Sequence, residues 1–218
     1  MIEEGGGEGA AAGIADCIIL AAGASRRMGV PKLHLPFGGS TVLGATVDAA
    51  LGAGLRIIVV GRREDPLLED YARPGRVLVA VNPEPERGML SSLHAGLALS
   101  ACPRDPERGF FFIPGDMPLV KASTYESLLA SPRSGPVIAT FRGRRGHPVF
   151  VPPALVHEVM SLPHRGNLRA LIDASSPIFV DTSDEGTVTD IDLPDEYESA
   201  AARLADSLRL SCIPRVGA

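Results

Sequence analysis

Cysteine is scarce in this chain. The three residues, Cys17, Cys102 and Cys212, lie far apart, which excludes a closely spaced metal motif and an even-numbered disulfide framework. Such sparse use suits a reducing, cytoplasmic setting, and Cys17 reads as a small core residue. Long apolar runs are missing as well. None approaches the roughly 18 residues that a membrane span needs, so no membrane partner is expected. Residues 1–13, rich in Gly, Ala and Glu, lack the basic start and apolar stretch of a signal peptide, and read as a disordered tail. Basic charge is not in excess either. A net charge of −5 argues against nucleic acid as a general partner.

What remains is long enough for one substantial α/β domain over residues 14–210. Apolar strands alternate with amphipathic helices, which predicts a mostly parallel sheet covered by helices on both faces. Strands are expected at Cys17–Leu20, Leu55–Val60 (ended by Gly61), Val77–Val81 and Phe110–Ile113. Helices are expected over Thr41–Ala53, Asp65–Ala72 and about Met89–Ala101. The second half is less regular. Pro136–Phe141 and His147–Val151 read as strands joined through Arg142–Gly146, followed by helices near Ala154–Met160 and Asn167–Ala174. A strand around Ile178–Val180 and the acidic segment Val188–Asp195 come next. A last helix, starting at Pro194, is expected to bury Tyr197, Ala201, Leu204 and Leu208.

The most informative stretch is Leu-Ala-Ala-Gly-Ala-Ser-Arg-Arg-Met-Gly-Val-Pro-Lys, Leu20 to Lys32. Its small residues allow backbone N–H groups to approach an anion, and its three cations can neutralise several charges. That is a polyphosphate site in outline. It is not a Walker loop: Gly23 and Gly29 are separated by five residues, and Lys32 follows a proline. It is not a dinucleotide fingerprint, because Pro31 and Pro36 forbid an early helix.

Pro114-Gly115-Asp116-Met117-Pro118 follows the fourth strand. A carboxylate there faces the ligand crevice of an open α/β sheet and suits Mg²⁺, which binds one or two carboxylates plus substrate phosphates. An Asp that merely stabilises a turn is the plainer alternative. In Asp190-Ile191-Asp192 the two carboxylates project to the same side of an extended segment, with Ile191 directed to the core. One of the two is a second metal-ligand candidate, and the other can cap the helix at Pro194. The segment Asn82 to Ser92, with Gly88 leading into a helix, could read a base or hold a ribose, or serve as a plain loop and cap. Between Pro136 and Ile172 stand five arginines (142, 144, 145, 165, 169) and one acid, Glu158. That imbalance points to an anionic ligand, with Gly146-His147-Pro148 and Asn167-Leu168-Arg169 as the segments of interest.

These pieces occur, in order, as in one family. Leu20–Lys32, Asn82-Pro83 with Gly88–Ser92, Gly115–Pro118, Gly146–Pro148, Asn167–Arg169 and Asp190–Asp192 resemble the molybdenum cofactor nucleotidyltransferases, and Ala22 and Pro31 are similar to their cytidylyl-transferring branch. The resemblance implies a Rossmann-like three-layer α/β/α nucleotidyltransferase fold. It implies a Mg²⁺-dependent enzyme that joins CMP from CTP to the terminal phosphate of molybdopterin or molybdenum cofactor, with a molybdoenzyme as a further partner. Transfer of GMP from GTP, or a sugar- or alcohol-phosphate acceptor, is the alternative. By position it places the nucleotide on Ala21, Ala22, Gly23, Arg26, Lys32, Asn82 and Ser92. Catalysis falls on Lys32, Arg26 and Asp116, the metal on Asp116 with one or both of Asp190 and Asp192, and the acceptor on His147, Asn167 and Arg169. Leu193 departs from the threonine usual before the final proline, and His164-Arg165 from the usual entry to the Asn167 helix.

Overall fold

Seven strands form one sheet in a computed structural model that describes residues 15–23 and 28–211. The expected tail at residues 1–13 and Arg26 lie outside the described residues, as do the side chains of Leu208, Leu210 and Ser211. In chain order the elements begin with β1 (Ala15–Leu20), the short pair β2 (Pro36–Phe37) and β3 (Ser40–Thr41), and α1 (Val42–Gly52). Then come β4 (Arg56–Arg62), β5 (Val77–Asn82), α2 (Met89–Leu99), β6 (Gly109–Pro114) and α3 (Ala122–Leu129). The second half holds β7 (Val137–Phe141), β8 (Arg144–Val151), α4 (Val156–Ser161), α5 (Leu168–Ala174), β9 (Ile178–Asp181) and α6 (Pro194–Ser211).

The strand order is β5-β4-β1-β6-β8-β7-β9, and only β8 runs against the others. Alternation along β1 divides the core in two. Cys17 and Ile19 face a cluster that includes α1 and α3, with α6 against it, while Ile18 faces α2, α4 and α5. The result is a three-layer α/β/α arrangement with a mostly parallel sheet. Among the described residues no helix is long and apolar enough to cross a membrane.

Several expected boundaries shift for local reasons. The strand thought to end at Gly61 continues through it to Arg62, because the missing Cβ at Gly61 leaves room for Leu68. The helix expected over Asp65–Ala72 is one 3-10 turn, Leu68–Tyr71. Arg142–Gly146 is not a five-residue loop. Arg142 and Gly143 take positive φ of 48° and 76° and form a two-residue hairpin turn, so Arg144 and Arg145 belong to β8. The helix α2 stops at Leu99, where Ser100 turns to Asp16. The segment near Ala154 is a 3-10 turn followed by α4, and α3 was not foreseen. In α6, Tyr197, Ala201 and Leu204 pack against the core only partly buried, and Ala200 is the buried contact.

The end of β1 remote from the ligand crevice is held by charge. Asp16 is fully buried and accepts hydrogen bonds from Arg56 Nε (3.0 Å) and Nη2 (2.6 Å), Arg108 Nη1 (3.1 Å), Ser100 Oγ (2.6 Å) and Ala101 N (3.2 Å). Burial alone would raise its pKa. The Arg56 and Ser100 bonds, the Arg56 charge and the Ala101 amide outweigh burial and hold it below the ordinary carboxylate range. A group depressed on folding contributes stability above its unfolded pKa of about 3.9 and loses it as pH falls through the folded value. Asp16→Asn should therefore cost about 3–5 kcal/mol at neutral pH, the scale of breaking a buried ion pair. Urea unfolding of variant and wild type should converge below about pH 4. A neutral-pH midpoint equal to wild type would show that the cluster carries no stability.

Candidate active site

Three segments, remote in sequence, meet beyond the carboxyl ends of β1 and β6. The first leaves β1. Ala21 and Ala22 are buried, and the Ala21 amide is committed to Val60 O at 2.7 Å. Arg62 Nε donates to Ala22 O at 2.6 Å, tying the loop to the end of β4. Gly23 is exposed, with nothing within 4 Å of where a Cβ would stand, so its backbone is open to a ligand. Pro31 precedes a single 3-10 turn, Lys32–His34, that directs Lys32 inward.

The second segment follows β6. Gly115 N donates to Leu20 O at 2.9 Å, and Thr46 Oγ1 donates to Gly115 O at 3.2 Å. A Cβ at Gly115 would stand 3.0 Å from Leu43 and 3.3 Å from Leu20 O, which explains glycine at this close approach. The third segment is pinned by Ile191, which is fully buried and whose amide donates to Asp116 O at 3.0 Å. The ammonium of Lys32, itself only 7% exposed, bridges the last two. Its Nζ donates to Asp116 Oδ2 at 2.6 Å and to Asp192 Oδ1 at 2.8 Å.

This arrangement separates the two acidic candidates. Asp192 meets Lys32, whereas Asp190 is exposed and acts on Asp116 through its charge. The start of α6 is closed by Glu196, whose Oε2 accepts from the amides of Asp192 (2.7 Å) and Leu193 (2.8 Å). That is the returning half of a capping box, which accommodates leucine at 193. Burial pushes the Asp116 carboxyl above its usual range, against the pull of Lys32. Burial would lower the Lys32 ammonium, but the bonds and charges of Asp116 and Asp192 outweigh it and raise its pKa. Asp116 Oδ1 is buried without a hydrogen-bond partner among the described residues. A buried carboxylate oxygen left over, beside a second carboxylate and an open phosphate path, fits a hard divalent ion that takes its other ligands from substrate and water. Among the described residues there is no group of three or more acidic, His or Cys side chains placed to hold an ion unaided.

Asn82 ends β5 and Ser92 lies in α2. Both are buried. Asn82 Nδ2 donates to Ser91 Oγ and Ser92 Oγ, each at 2.9 Å, and its Oδ1 accepts from Glu84 N at 2.9 Å. The network orders the turn before Gly88, and neither Asn82 nor Ser92 is among the residues lining the cavity beside the glycine loop. A cavity of about 690 Å³ is lined by Ala21, Gly23, Gly29–Pro31, Leu33–Leu35, Arg62 and Asp65, with Lys32 and the two carboxylates outside its lining, room enough for a nucleotide. Sequence reasoning missed Arg62 and the His34–Asp65 pair (2.9 Å). The usable signal was the place of Arg62 and Asp65 at and just past the carboxyl end of the parallel strand β4.

The acceptor candidates divide. His147 and Arg169 line a second cavity, of about 260 Å³. Asn167 instead caps α5, its side chain accepting from Ala170 N at 3.0 Å. Burial lowers the His147 pKa to about 4, with partial offset from the Phe112 backbone and Asp190.

Comparison with known proteins shows the family and the fold. Residues 17–178 match the family model of the MobA-like NTP transferase domain. The chain is 30% identical over 192 residues, 88% of its length, to the molybdenum cofactor cytidylyltransferase of Escherichia coli K12, covering 97% of that protein. A nucleotidyl transferase from Methanothermobacter superposes with a TM-score of 0.76 at 24% identity, over 89% of this chain and 99% of the other. A Mycobacterium tuberculosis H37Rv protein solved in complex with manganese does so with a TM-score of 0.65 at 24% identity, over 86% and 97%.

The depressed His147 pKa has a measurable consequence. The unfolded chain binds this proton near pH 6.5 and the folded chain near 4, so the group's contribution to stability is complete above about 6.5 and is lost as pH falls toward 4. Imidazole NMR shifts should show one histidine titrating near 4. A midpoint above about 6 for His147 would contradict the burial described.

Proposed function

This chain belongs to the family of MobA-like NTP transferase domains, and from that membership we propose that it joins CMP from CTP to the terminal phosphate of molybdopterin or molybdenum cofactor, releasing pyrophosphate. The observation that carries the reading is the Lys32 bridge between Asp116 and Asp192 beside the open glycine backbone. It puts a cation and two carboxylates where a triphosphate would arrive. The relative named for this reaction, matched along most of both chains, supports the choice of nucleotide and acceptor.

In the proposed reaction an oxygen of the acceptor phosphate attacks the α-phosphorus of CTP in line. The bond to the bridging oxygen breaks, and pyrophosphate leaves with its electron pair. A phosphate monoester has a second pKa of about 6, so the nucleophile is largely dianionic at neutral pH and needs no strong base. The neutral, buried His147 is accordingly not needed as one. Catalysis rests on positioning and charge. The backbone at Ala22 and Gly23 approaches the phosphates, and the wall ordered by Asn82 and Ser92 faces base and ribose. Lys32, with Arg26, offsets charge on the departing pyrophosphate. Asp116 and Asp192 would hold Mg²⁺, with Asp190 adding negative potential. The ion, when bound, neutralises charge building on the α-phosphate.

A pyrophosphate-release screen of four nucleoside triphosphates with purified molybdopterin tests the reading directly. Release from CTP, and little from GTP, is expected; release from GTP alone would move the chain to the guanylyl-transferring relatives. Asp116→Ala should lower kcat by about 10²–10³-fold, the scale of losing one preorganised electrostatic contact to the transition state. Near-normal turnover of this variant at saturating Mg²⁺ would remove Asp116 from the mechanism.

A further inference from the structure

Arg62 ends β4 with its backbone fixed on two sides. It stands in register with Asn82 of β5, and its carbonyl oxygen accepts from Asp65 N at 3.2 Å. Its side chain reaches the opposite neighbour of β4, the start of the glycine loop. Val60 O takes the Ala21 amide at 2.7 Å, and Arg62 Nε donates to Ala22 O at 2.6 Å. These two bonds stitch the first residues of the loop to the end of β4.

The anchor on Ala22 uses one N–H of a guanidinium that has five. Among the described residues no carboxylate pairs with Arg62, and Ala22 O is its one side-chain hydrogen-bond partner. The side chain is half-buried and lines the cavity of about 690 Å³ together with Gly23, whose backbone is open. Two acids line the same cavity without engaging it. Asp65 Oδ1 is taken by His34 Nε2 at 2.9 Å and by the Leu67 amide at 3.1 Å, and Glu64 is exposed. Lys32 differs in this respect. Its ammonium is shared by Asp116 and Asp192, so it brings no surplus positive charge to an arriving polyanion. A tie to a carbonyl needs a donor and not a charge. A guanidinium held at Nε, with both Nη groups left over, has the planar edge that phosphate oxygens accept.

We propose that Arg62 is a nucleotide-binding residue: its Nη groups bond to oxygens of the triphosphate where that chain passes Gly23, while Nε keeps the loop in place. The proposal rests on the nucleotide reading of the previous subsection and deepens it, adding a cation that comes from β4 and not from the glycine loop. Nε and both Nη groups belong to one rigid plane. The position of Ala22 and the position of the bound phosphate are therefore set by the same group.

The probe is inorganic tripolyphosphate, which has the phosphates and lacks base and sugar. Its binding with Mg²⁺ present is measured by titration calorimetry on wild type and three variants, each checked for folding by thermal unfolding. Arg62→Gln keeps an N–H for Ala22 O and removes the charge, Arg62→Lys keeps the charge without the planar edge, and Arg62→Met removes both. Gln and Met should each weaken binding at least about tenfold, the scale of one hydrogen bond to a charged group, and Lys should recover part of the loss. If Arg62→Met does not fold, Gln and Lys carry the comparison. Failure of wild type to bind, a Gln variant equal to wild type, or equal losses in Gln and Lys overturns the assignment. The last two outcomes would leave Arg62 as a tie for the loop alone. Wild-type pyrophosphate release from CTP or GTP with molybdopterin is read in parallel. Release with probe binding indifferent to Arg62 sinks this assignment alone, and binding that depends on Arg62 without release from either nucleotide sinks the proposed reaction alone.

Discussion

The Lys32 ammonium between Asp116 and Asp192 is the constraint around which the candidate site is assembled. Lys32 and Asp116 are 84 positions apart, and Lys32 and Asp192 are 160 apart, so no local rule brings them together. Two carboxylates in a poorly solvated crevice repel each other unless a cation lies between them. Each partner is placed by backbone: the turn after Pro31, the Gly115 amide on Leu20 O, and the Ile191 amide on Asp116 O. A buried ion triad of this kind is weak as a source of stability, because desolvation consumes much of its attraction. Its presence therefore needs a reason in chemistry, and the unpaired Asp116 Oδ1 supplies one.

The strand β1 connects two charge clusters of opposite character. At its start Asp16 is saturated by two arginines, a serine and an amide, and its carboxyl is held ionised. Past its end Asp116 Oδ1 is buried without a hydrogen-bond partner among the described residues, and the Asp116 carboxyl is pushed up by burial. The first cluster fixes β4, β6 and the start of their connections without offering anything to a ligand. The second keeps bonding capacity in reserve. The same strand thus separates a fully paired charge cluster from one that keeps a carboxylate oxygen unpaired, at the end where open α/β sheets prefer to place ligands.

Much of the framework was legible because its signals are local. Apolar runs such as Phe110–Ile113, with glycine and proline behind them, mark strands leading to the crevice whatever the rest of the chain does. The order of the motifs also gave the family's architecture. What was not legible depends on tertiary pairing. The helix α3 begins Ala-Ser-Thr-Tyr, with a weak intrinsic preference, and exists because Tyr125 and Leu128 are fully buried and Thr124 bonds to Asp184. A positive φ at Arg142 is not written in an arginine. Asp190 and Asp192 share a face in sequence logic, and only the position of Lys32 distinguishes them. Asn167 carries the same letters whether it reads a ligand or caps a helix, and its bond to Ala170 N shows the cap.

The arginine-rich stretch shows why charge counted along a sequence can mislead. Between Pro136 and Ile172 five arginines face a single acid, which looks like an open basic surface. The next residue is Asp173, and its carboxylate takes Arg145 on one oxygen and lies 3.8 Å from Arg169 on the other. The field that a ligand meets at this mouth is much weaker than the count suggests, and behind it stands a histidine that burial keeps neutral. On the glycine-loop side the Lys32 cation is likewise spoken for, by Asp116 and Asp192. The cavity behind that mouth offers shape, a buried His147 Nδ1 without a hydrogen-bond partner among the described residues, and one oriented guanidinium. For the proposed reaction a weakly charged acceptor pocket is an advantage, because a strongly cationic one would also hold the nucleotide and block the geometry that in-line attack requires.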